Sequence, residues 1–464
     1  MNIEDILALA DTQKIIEALT IADGDRDVEL NIKQHEGDHT VLTRPNKVVG
    51  KGSTQKTVTT AKEVIPFQKK IVNMAVSFLF GEPVKLILNN QETNFEKPYK
   101  VLKDTWKDAK IDYFNRKLMR RLSVETKVAE LWYVQIDTTK PTEEQSTVRV
   151  QLLSWETGDQ IFPNFNDKGD MDAFTRKYTI SDVEGNPVEH VDIYTAANMI
   201  YNFKTGDTWT STTEKNLFLK IPVIYYEQEA PEWIDVQTEI DRAEMLISQF
   251  ADTNDYYGSP AVEVKGKLTN APEKGEIGKF WQVKGETNTK TGSVEYTGGV
   301  KYVVWDHAPE SVKLEYEMLK DIIYGMTDTP DISFDNVQGT SNLSGIALRL
   351  MFFASTLKAK DKEEIFGEGL TRRVNLLKAI LSITHSKFAK AYLEMDIDIR
   401  FGNVLPQNEK EFVDILSISR GGEAIISEET AVKHHPLVED ADAELEKIAA
   451  EKKQTDTTAE SFNL

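Results

Sequence analysis

The sequence predicts an α+β fold divided along the chain, and three features carry that expectation. Short apolar runs separated by turn residues crowd the stretch from 131 to 227, which is the pattern of half-buried strands. Two helical patterns, at 231–257 and 309–326, enclose an island rich in Gly and Lys with short β-like runs. A third helical pattern starts near Ser344 and continues to about Ala389. Its ~46 residues would span about 69 Å at 1.5 Å per residue, longer than an ordinary globular helix.

Each element has a local cause. Ile3, Ile6, Leu7, Ala10, Ile15 and Leu19 recur at helical spacing and predict a short amphipathic helix within 1–30. Residues 40–60 read as a loop of Thr, Gly and Lys. The run 64–79 puts Ile65, Val72, Ala75, Val76 and Leu79 on one helical face, and Gly81 with Pro83 stops it. Residues 106–129 read as one further helix. Strands are expected at 132–136, 148–153, 174–180, 191–194 and 221–226, punctuated by Glu184-Gly185-Asn186-Pro187 and Thr205-Gly206-Asp207. Pro231 and Pro309 open the two helices around 258–308, so that island reads as an insertion between an antiparallel pair. The stretch from Thr327 to Leu343 holds few helix formers, Ser344 suits an N-cap, and Gly367 and Gly369 mark an expected kink. A strand at 396–401 and three short helices near 407–419, 427–434 and 439–453 complete the chain.

The 464 residues are 40% hydrophobic, enough for two to four core-bearing units at ~150 residues each and too apolar for a disordered chain. With no cysteine, disulfides and thiolate metal sites are excluded, and a reducing, intracellular folding environment is expected. The N-terminus is acidic and lacks the basic start of a signal peptide. The most apolar run, 71–80, is about half of what a bilayer span needs, so no membrane partner is expected. The formal charge of −21 argues against a tight grip on nucleic acid, which needs clustered Lys and Arg.

Short chemical motifs give little support for catalysis. His35-Glu36-Gly37-Asp38-His39 matches the H-E-x-x-H pattern of zinc peptidases, which makes a zinc-dependent hydrolase the first alternative function. That chemistry needs both histidines on one face of a long helix, and Gly37 and Asp38 are poor helix formers; a turn between two short elements is the better reading. Asp23, Asp25 and Asp27 begin like a calcium loop, but Val28 stands where Gly is needed and Gln34 where Glu is needed. Gly50-Lys51-Gly52-Ser53-Thr54 lacks the spacing of a phosphate-binding loop. No catalytic residue, metal or cofactor is assigned.

The run Ile71-Val72-Asn73-Met74-Ala75-Val76-Ser77-Phe78-Leu79-Phe80-Gly81-Glu82-Pro83-Val84 resembles the early helix-and-turn signature of tailed-bacteriophage portal proteins, the family of long-tailed phages of Gram-positive bacteria. The segment from Gln34 to His39 is similar to the one that precedes that signature. Val191 to Thr195 and Leu217 to Ile224 resemble the family's wing strands. Thr329-Pro330-Asp331 through Ser344-Gly345-Ile346-Ala347-Leu348 resembles its tunnel loop and the start of the long helix behind it. The resemblance covers about residues 25–420.

That resemblance implies a portal fold: a mixed α/β wing at 1–230, stem helices at 231–257 and 309–327, a small β-containing clip at 258–308, a tunnel loop at 328–343, a long kinked helix and strand at 344–406, and a short helical crown with tail at 407–464. It implies a non-enzymatic subunit of a ring, twelve-fold in particles, through which double-stranded DNA is packaged and ejected. Asp335, Asn336, Val337, Gln338, Gly339, Thr340, Ser341 and Asn342 would face the DNA. Implied partners are other copies of the chain, the terminase motor, the major capsid and scaffolding proteins and the head–tail adaptor. The implied location is the capsid portal vertex of the virion, after synthesis in the host bacterial cytoplasm. Another phage head subunit, such as a capsid or adaptor protein, is the second alternative.

Overall fold

Two short helices open the chain, α1 (Ile3–Leu7) and α2 (Thr12–Leu19), where the sequence predicts one. The break follows from Asp11, whose carboxylate accepts the Gln13 amide at 3.0 Å and caps α2. The computed structural model describes residues 3–21, 27–50, 52–89, 94–136, 138–139, 146–257, 262–265, 267–270, 281–284, 286–287, 290–291, 294–296, 299–302, 309–331, 350–402, 409–421, 425–433, 435, 438 and 444–452. They fall into two units, one of residues 1–331 and 354–403, the other of 332–353 and 404–464.

In the first unit, α3 (Val28–Glu36) begins at Asp27, which accepts the Leu30 amide at 2.9 Å, and ends at Gly37 with φ 96°, a conformation that suits Gly. Strands β1 (Lys47–Val49) and β2 (Lys56–Val58) pair within the expected loop. Helix α4 (Phe67–Phe80) buries Ile71, Val72, Val76 and Leu79, the face that its spacing predicts, and β3 (Lys85–Leu88) follows.

The stretch expected as one helix over 106–129 instead contains three elements: α5 (Glu96–Asp108), α6 (Ile111–Glu125) and the start of β4 (Lys127–Ile136). Positive φ angles at Lys110 (54°) and Thr126 (67°) mark the two breaks. The error has a physical source. β4 is central in a three-stranded sheet, between β5 (Ser146–Leu153) and β11 (Val223–Glu227), so residues 128–132 are buried without alternation. A short apolar run of that kind cannot be told from a helix by period.

Strands β6 (Gln160–Phe165), β7 (Met171–Ser181), β8 (Pro187–Thr195), β9 (Asn198–Thr205) and β10 (Thr208–Lys215) form an antiparallel five-stranded sheet in the order β10-β9-β8-β7-β6. β6, β9 and β10 are absent from the sequence-based expectation; β10 is almost wholly exposed and rich in Thr, so it has no apolar alternation to read. Ile3, Ile6, Ile16 and Leu19 pack against Ala173, Val191 and Ile193 of this sheet. Ala129, Leu131, Leu153, Phe174, Tyr194 and Val223 form a further apolar cluster joining the two sheets.

Helices α7 (Gln237–Tyr257) and α8 (Pro309–Met326) lie side by side, tied by Arg242 and Glu315 at 2.9 Å. Between them, β12 (Val262–Lys265) pairs with β17 (Gly299–Tyr302), β13 (Lys267–Asn270) with β14 (Gln282–Lys284), and β15 (Glu286–Thr287) with β16 (Val294–Tyr296). Glu244, Ser248 and Asp252, spaced by four on α7, accept the backbone amides of Ile65, Glu63 and Ala61 at 2.8, 2.8 and 2.7 Å. This polar row replaces the water that the extended segment before α4 would otherwise need.

Helix α9 (Phe353–Thr384) runs unbroken for 32 residues. It ends five residues before Ala389; a 3₁₀ turn and α10 (Ala389–Glu394) follow. Then β18 (Ile397–Arg400) returns to pair with β3. In the second unit, α11 (Glu409–Arg420), α12 (Glu428–Lys433) and helical residues 444–452 share an apolar cleft lined by Val413, Leu416, Val432 and Ile448. Among the described residues, no helix is long and apolar enough to cross a membrane.

The α+β class is as the sequence predicts. At the centre of the first unit, Arg373 of α9 and Glu130 of β4 are both fully buried. Nε and Nη2 of Arg373 donate to the two Glu130 oxygens at 2.9 and 2.6 Å, Nη1 donates to Asn115 of α6 at 2.6 Å, and the Tyr226 hydroxyl of β11 donates to Glu130 at 3.2 Å. Truncating one member strands a buried charge. Glu130→Ala is therefore expected to cost about 3–5 kcal/mol, whereas Glu130→Leu with Arg373→Met should recover most of that loss. Thermal unfolding of the three proteins checks this, and a Glu130→Ala variant as stable as the wild type would refute it.

Candidate functional site

The residues expected to face DNA, Asp335 to Asn342, lie outside the described residues. The chain is described up to residue 331 and again from residue 350, and there it is fastened. The last turn of α8 is closed by Thr327, whose hydroxyl donates to the Ile323 carbonyl at 2.7 Å. Asp328 adopts φ 51° and reverses the chain. Asp331 then meets Lys320 at 2.9 Å and Lys70 of α4 at 3.8 Å. Lys70 also donates to the Tyr324 hydroxyl at 2.8 Å, its ammonium 4.4 Å from that ring's centre.

The returning chain closes the base. Ser355, in the first turn of α9, donates to the Asp328 carbonyl at 2.6 Å, and Lys358 donates to the Thr327 carbonyl at 3.0 Å. Lys358 and Lys362, one turn apart, converge on Glu232 at 2.9 and 2.5 Å. The Glu232 side chain is only 3% exposed and stands just before α7. Burial works against its ionised form, but the two ammonium groups outweigh this and hold its carboxyl below the ordinary value. One carboxylate thus ties together the chain entering α7, the end of α8 and the start of α9.

Sequence reasoning missed this cluster. Lys358 and Lys362 at i and i+4 look like any solvated helix face, and Glu232 lies 126 residues before the first of them. Only the paired lysines could have served as a signal, and they name no partner.

The glycines expected at a kink lie within α9. Gly367 sits where an added Cβ would touch the Phe401 ring at 4.0 Å, and a Cβ on Gly369 would overlap the Tyr226 ring. Gly369 therefore lets Tyr226 lie against the α9 backbone and reach Glu130.

The H-E-x-x-H residues are divided by the turn at Gly37, as the sequence reading holds. His35 and Glu36 end α3, whereas His39 begins a 3₁₀ turn. His39 is buried; its Nδ1 lies 2.5 Å from Glu244 and its Nε2 lies 2.6 Å from the Gln34 carbonyl. Both ring nitrogens face acceptors, so the arrangement holds an imidazolium. Burial opposes that charge, but the bonds to Glu244 and Gln34 prevail and raise the His39 pKa. Neither nitrogen has a lone pair left for a metal. Among the described residues, no three His, Cys, Asp or Glu side chains are grouped to hold one.

Residues 26–458 match the family described as "Phage portal protein, SPP1 Gp6-like". No curated protein matches the chain. Among solved structures, a chain from "Neck of empty GTA particle computed with C6 symmetry" is 11% identical, covers 88% of this chain and 93% of its own, and has a TM-score of 0.38. A chain from "Neck of native GTA particle computed with C12 symmetry" is 10% identical, covers 91% and 98%, and has a TM-score of 0.36.

Two outcomes follow from these side chains. Glu232→Ala leaves two lysines unneutralised and should cost on the order of 3 kcal/mol. Because the Glu232 pKa is depressed, its contribution holds above the unfolded pKa and fades as pH falls through the folded value; a thermal melt indifferent to the substitution near neutral pH would contradict it. His39 has the opposite sign. Its raised pKa makes its contribution complete below about pH 6.5 and lost as pH rises through the folded value. The stability gap between wild type and His39→Ala should narrow from pH 6 to pH 9, and a constant gap would show that His39 is not charged in the fold.

Proposed function

The chain belongs to the SPP1 Gp6-like family of phage portal proteins, which matches it over residues 26–458; from that premise we propose how this subunit works in the particle. It is a portal subunit and so a structural component of the virion. Twelve copies form a ring at one capsid vertex, in a phage of the long-tailed kind that infects Gram-positive bacteria, assembled in the host cytoplasm. Residues 231–257 and 309–327 are the stem, and 258–308 the clip that meets the terminase and later the head–tail adaptor. Residues 1–230 with the long helix are the wing, facing capsid and scaffolding proteins, and 407–464 are the crown.

The loop carrying Asp335, Asn336, Val337, Gln338, Gly339, Thr340, Ser341 and Asn342 projects into the channel. The observation that supports this is the fastened base: Ser355 and Lys358 hold Asp328 and Thr327, and Glu232 holds Lys358. A root held so keeps in place the helices that carry the loop.

Charge explains how DNA passes. Twelve chains of −21 total 12 × −21 = −252, and like charge along the lining keeps phosphates from sticking. Within the channel, contact is left to the uncharged loop residues. The chain serves as a passage, and a separate motor supplies the energy of movement.

Negative-stain microscopy should show rings with a central hole, and sedimentation should give twelve times 52.6 kDa, about 630 kDa. Deleting residues 336–340 should leave those rings intact while impairing DNA packaging or retention. A chain that stays monomeric at high concentration, or a deletion that abolishes rings, would refute the assembly or the loop assignment respectively.

A further inference from the structure

Helices α5 and α6 depart from the charge of the whole chain. From Lys97 to Arg121 there are nine Lys and Arg against three Asp, a net +6 within a total of −21. On α5, Lys100, Lys103 and Lys107 recur at i, i+3 and i+7 and share one face; all three are exposed. On α6, Tyr113, Arg116, Lys117 and Arg120 share a face in the same way, opposite the side that buries Asn115, Leu118 and Leu122. Tyr113 is 64% exposed, with the Arg116 guanidinium 5.1 Å from its ring centre. Lys110, between the helices, is exposed as well.

The inner sides of both helices are already committed. Trp106 of α5 and Phe114 of α6 lie 5.4 and 5.7 Å from the Arg373 guanidinium, and Asn115 accepts a hydrogen bond from it. The cationic faces are therefore turned outward by the packing of the core. Among the described residues, none of Lys100, Lys103, Lys107, Lys110, Arg116, Lys117 or Arg120 meets a carboxylate within ion-pair distance. Elsewhere in the first unit the exposed cations often do, as with Lys69 and Glu36 or Arg242 and Glu315.

We propose that this surface binds the phosphate backbone of double-stranded DNA, as a contact distinct from the loop at 335–342. Two arguments select that occupant. Interface cores between proteins are poor in Lys, whereas Lys, Arg and Tyr are the usual phosphate contacts. Lys100 to Lys107 span about 10 Å of helix, and duplex DNA offers a charge every ~1.7 Å of its axis, so several phosphates lie within reach of one face. The inference rests on the portal reading only for the presence of DNA. Nothing in the surface reads bases, so the binding is independent of sequence and steeply dependent on salt.

Fluorescence anisotropy of a labelled DNA duplex with the full chain tests this at about 50 and 200 mM salt. The wild type should bind at the lower salt. Lys100→Glu with Lys103→Glu and Lys107→Glu should weaken binding at least about tenfold and flatten the log–log salt slope by about 3. The same three positions changed to Arg should keep both affinity and slope, and Lys215→Glu on β10 should change neither. Equal affinity of the wild type and the Glu variant overturns the proposal, as does a wild type that does not bind at low salt. Microscopy of the same samples separates this from the ring. Rings in both proteins, with DNA binding lost only in the Glu variant, support the site. Joint loss of rings and binding makes the patch a subunit contact and overturns it. A wild type that binds DNA through these lysines without forming rings supports the patch and counts against the ring.

Discussion

A full positive charge buried beside a full negative one constrains the larger unit of this molecule. Arg373 and Glu130 have no access to water, and a dehydrated ion pair is tolerable only when its remaining donors and acceptors are met. Asn115 and Tyr226 meet them. Each partner thereby loses its freedom: β4 must hold the register that points Glu130 inward, and α6 must present Asn115. Residue 369 must lack a side chain so that Tyr226 can pass.

The same pair sets the geometry of the loop base. Lys362 and Lys358 lie 11 and 15 residues before Arg373 on one unbroken helix, about 16 and 22 Å along its axis. A helix held at Arg373 cannot rotate or slide without withdrawing both lysines from Glu232. The core charge and the loop fastening are two ends of one rigid rod. The contacts of Trp106 and Phe114 with Arg373 also turn the basic faces of α5 and α6 outward. The overall charge of −21 conceals that local reversal, because a sum over the chain carries no information about which charges share a face.

Several elements were legible in the residues. Helix α4 follows from apolar positions at helical period with Gly81 and Pro83 after it, and α8 opens at Pro309 as the sequence indicates. The H-E-x-x-H match was discounted on the helix-breaking character of Gly37 and Asp38, and the turn there divides the motif. Less was legible where burial on two faces removed the period, as in β4, or where exposure removed the apolar residues, as in β10. The break at Lys110 was missed because no Gly or Pro announces it; a Lys takes the left-handed conformation there.

The sequence by itself determined the α+β class, the helix pair with its inserted strands, the long helix and the resemblance to portal proteins, because these depend on residue order and local period. Tertiary structure alone decided the partners. Glu130 finds Arg373, His39 finds Glu244 and Glu232 finds Lys358 across 243, 205 and 126 residues, and a charged side chain shows no preference for a distant partner until folding removes water from both. The long helix expected from the sequence lies at Phe353–Thr384, and it carries the fastened base because an ion pair in a dry core leaves that helix only one place to lie.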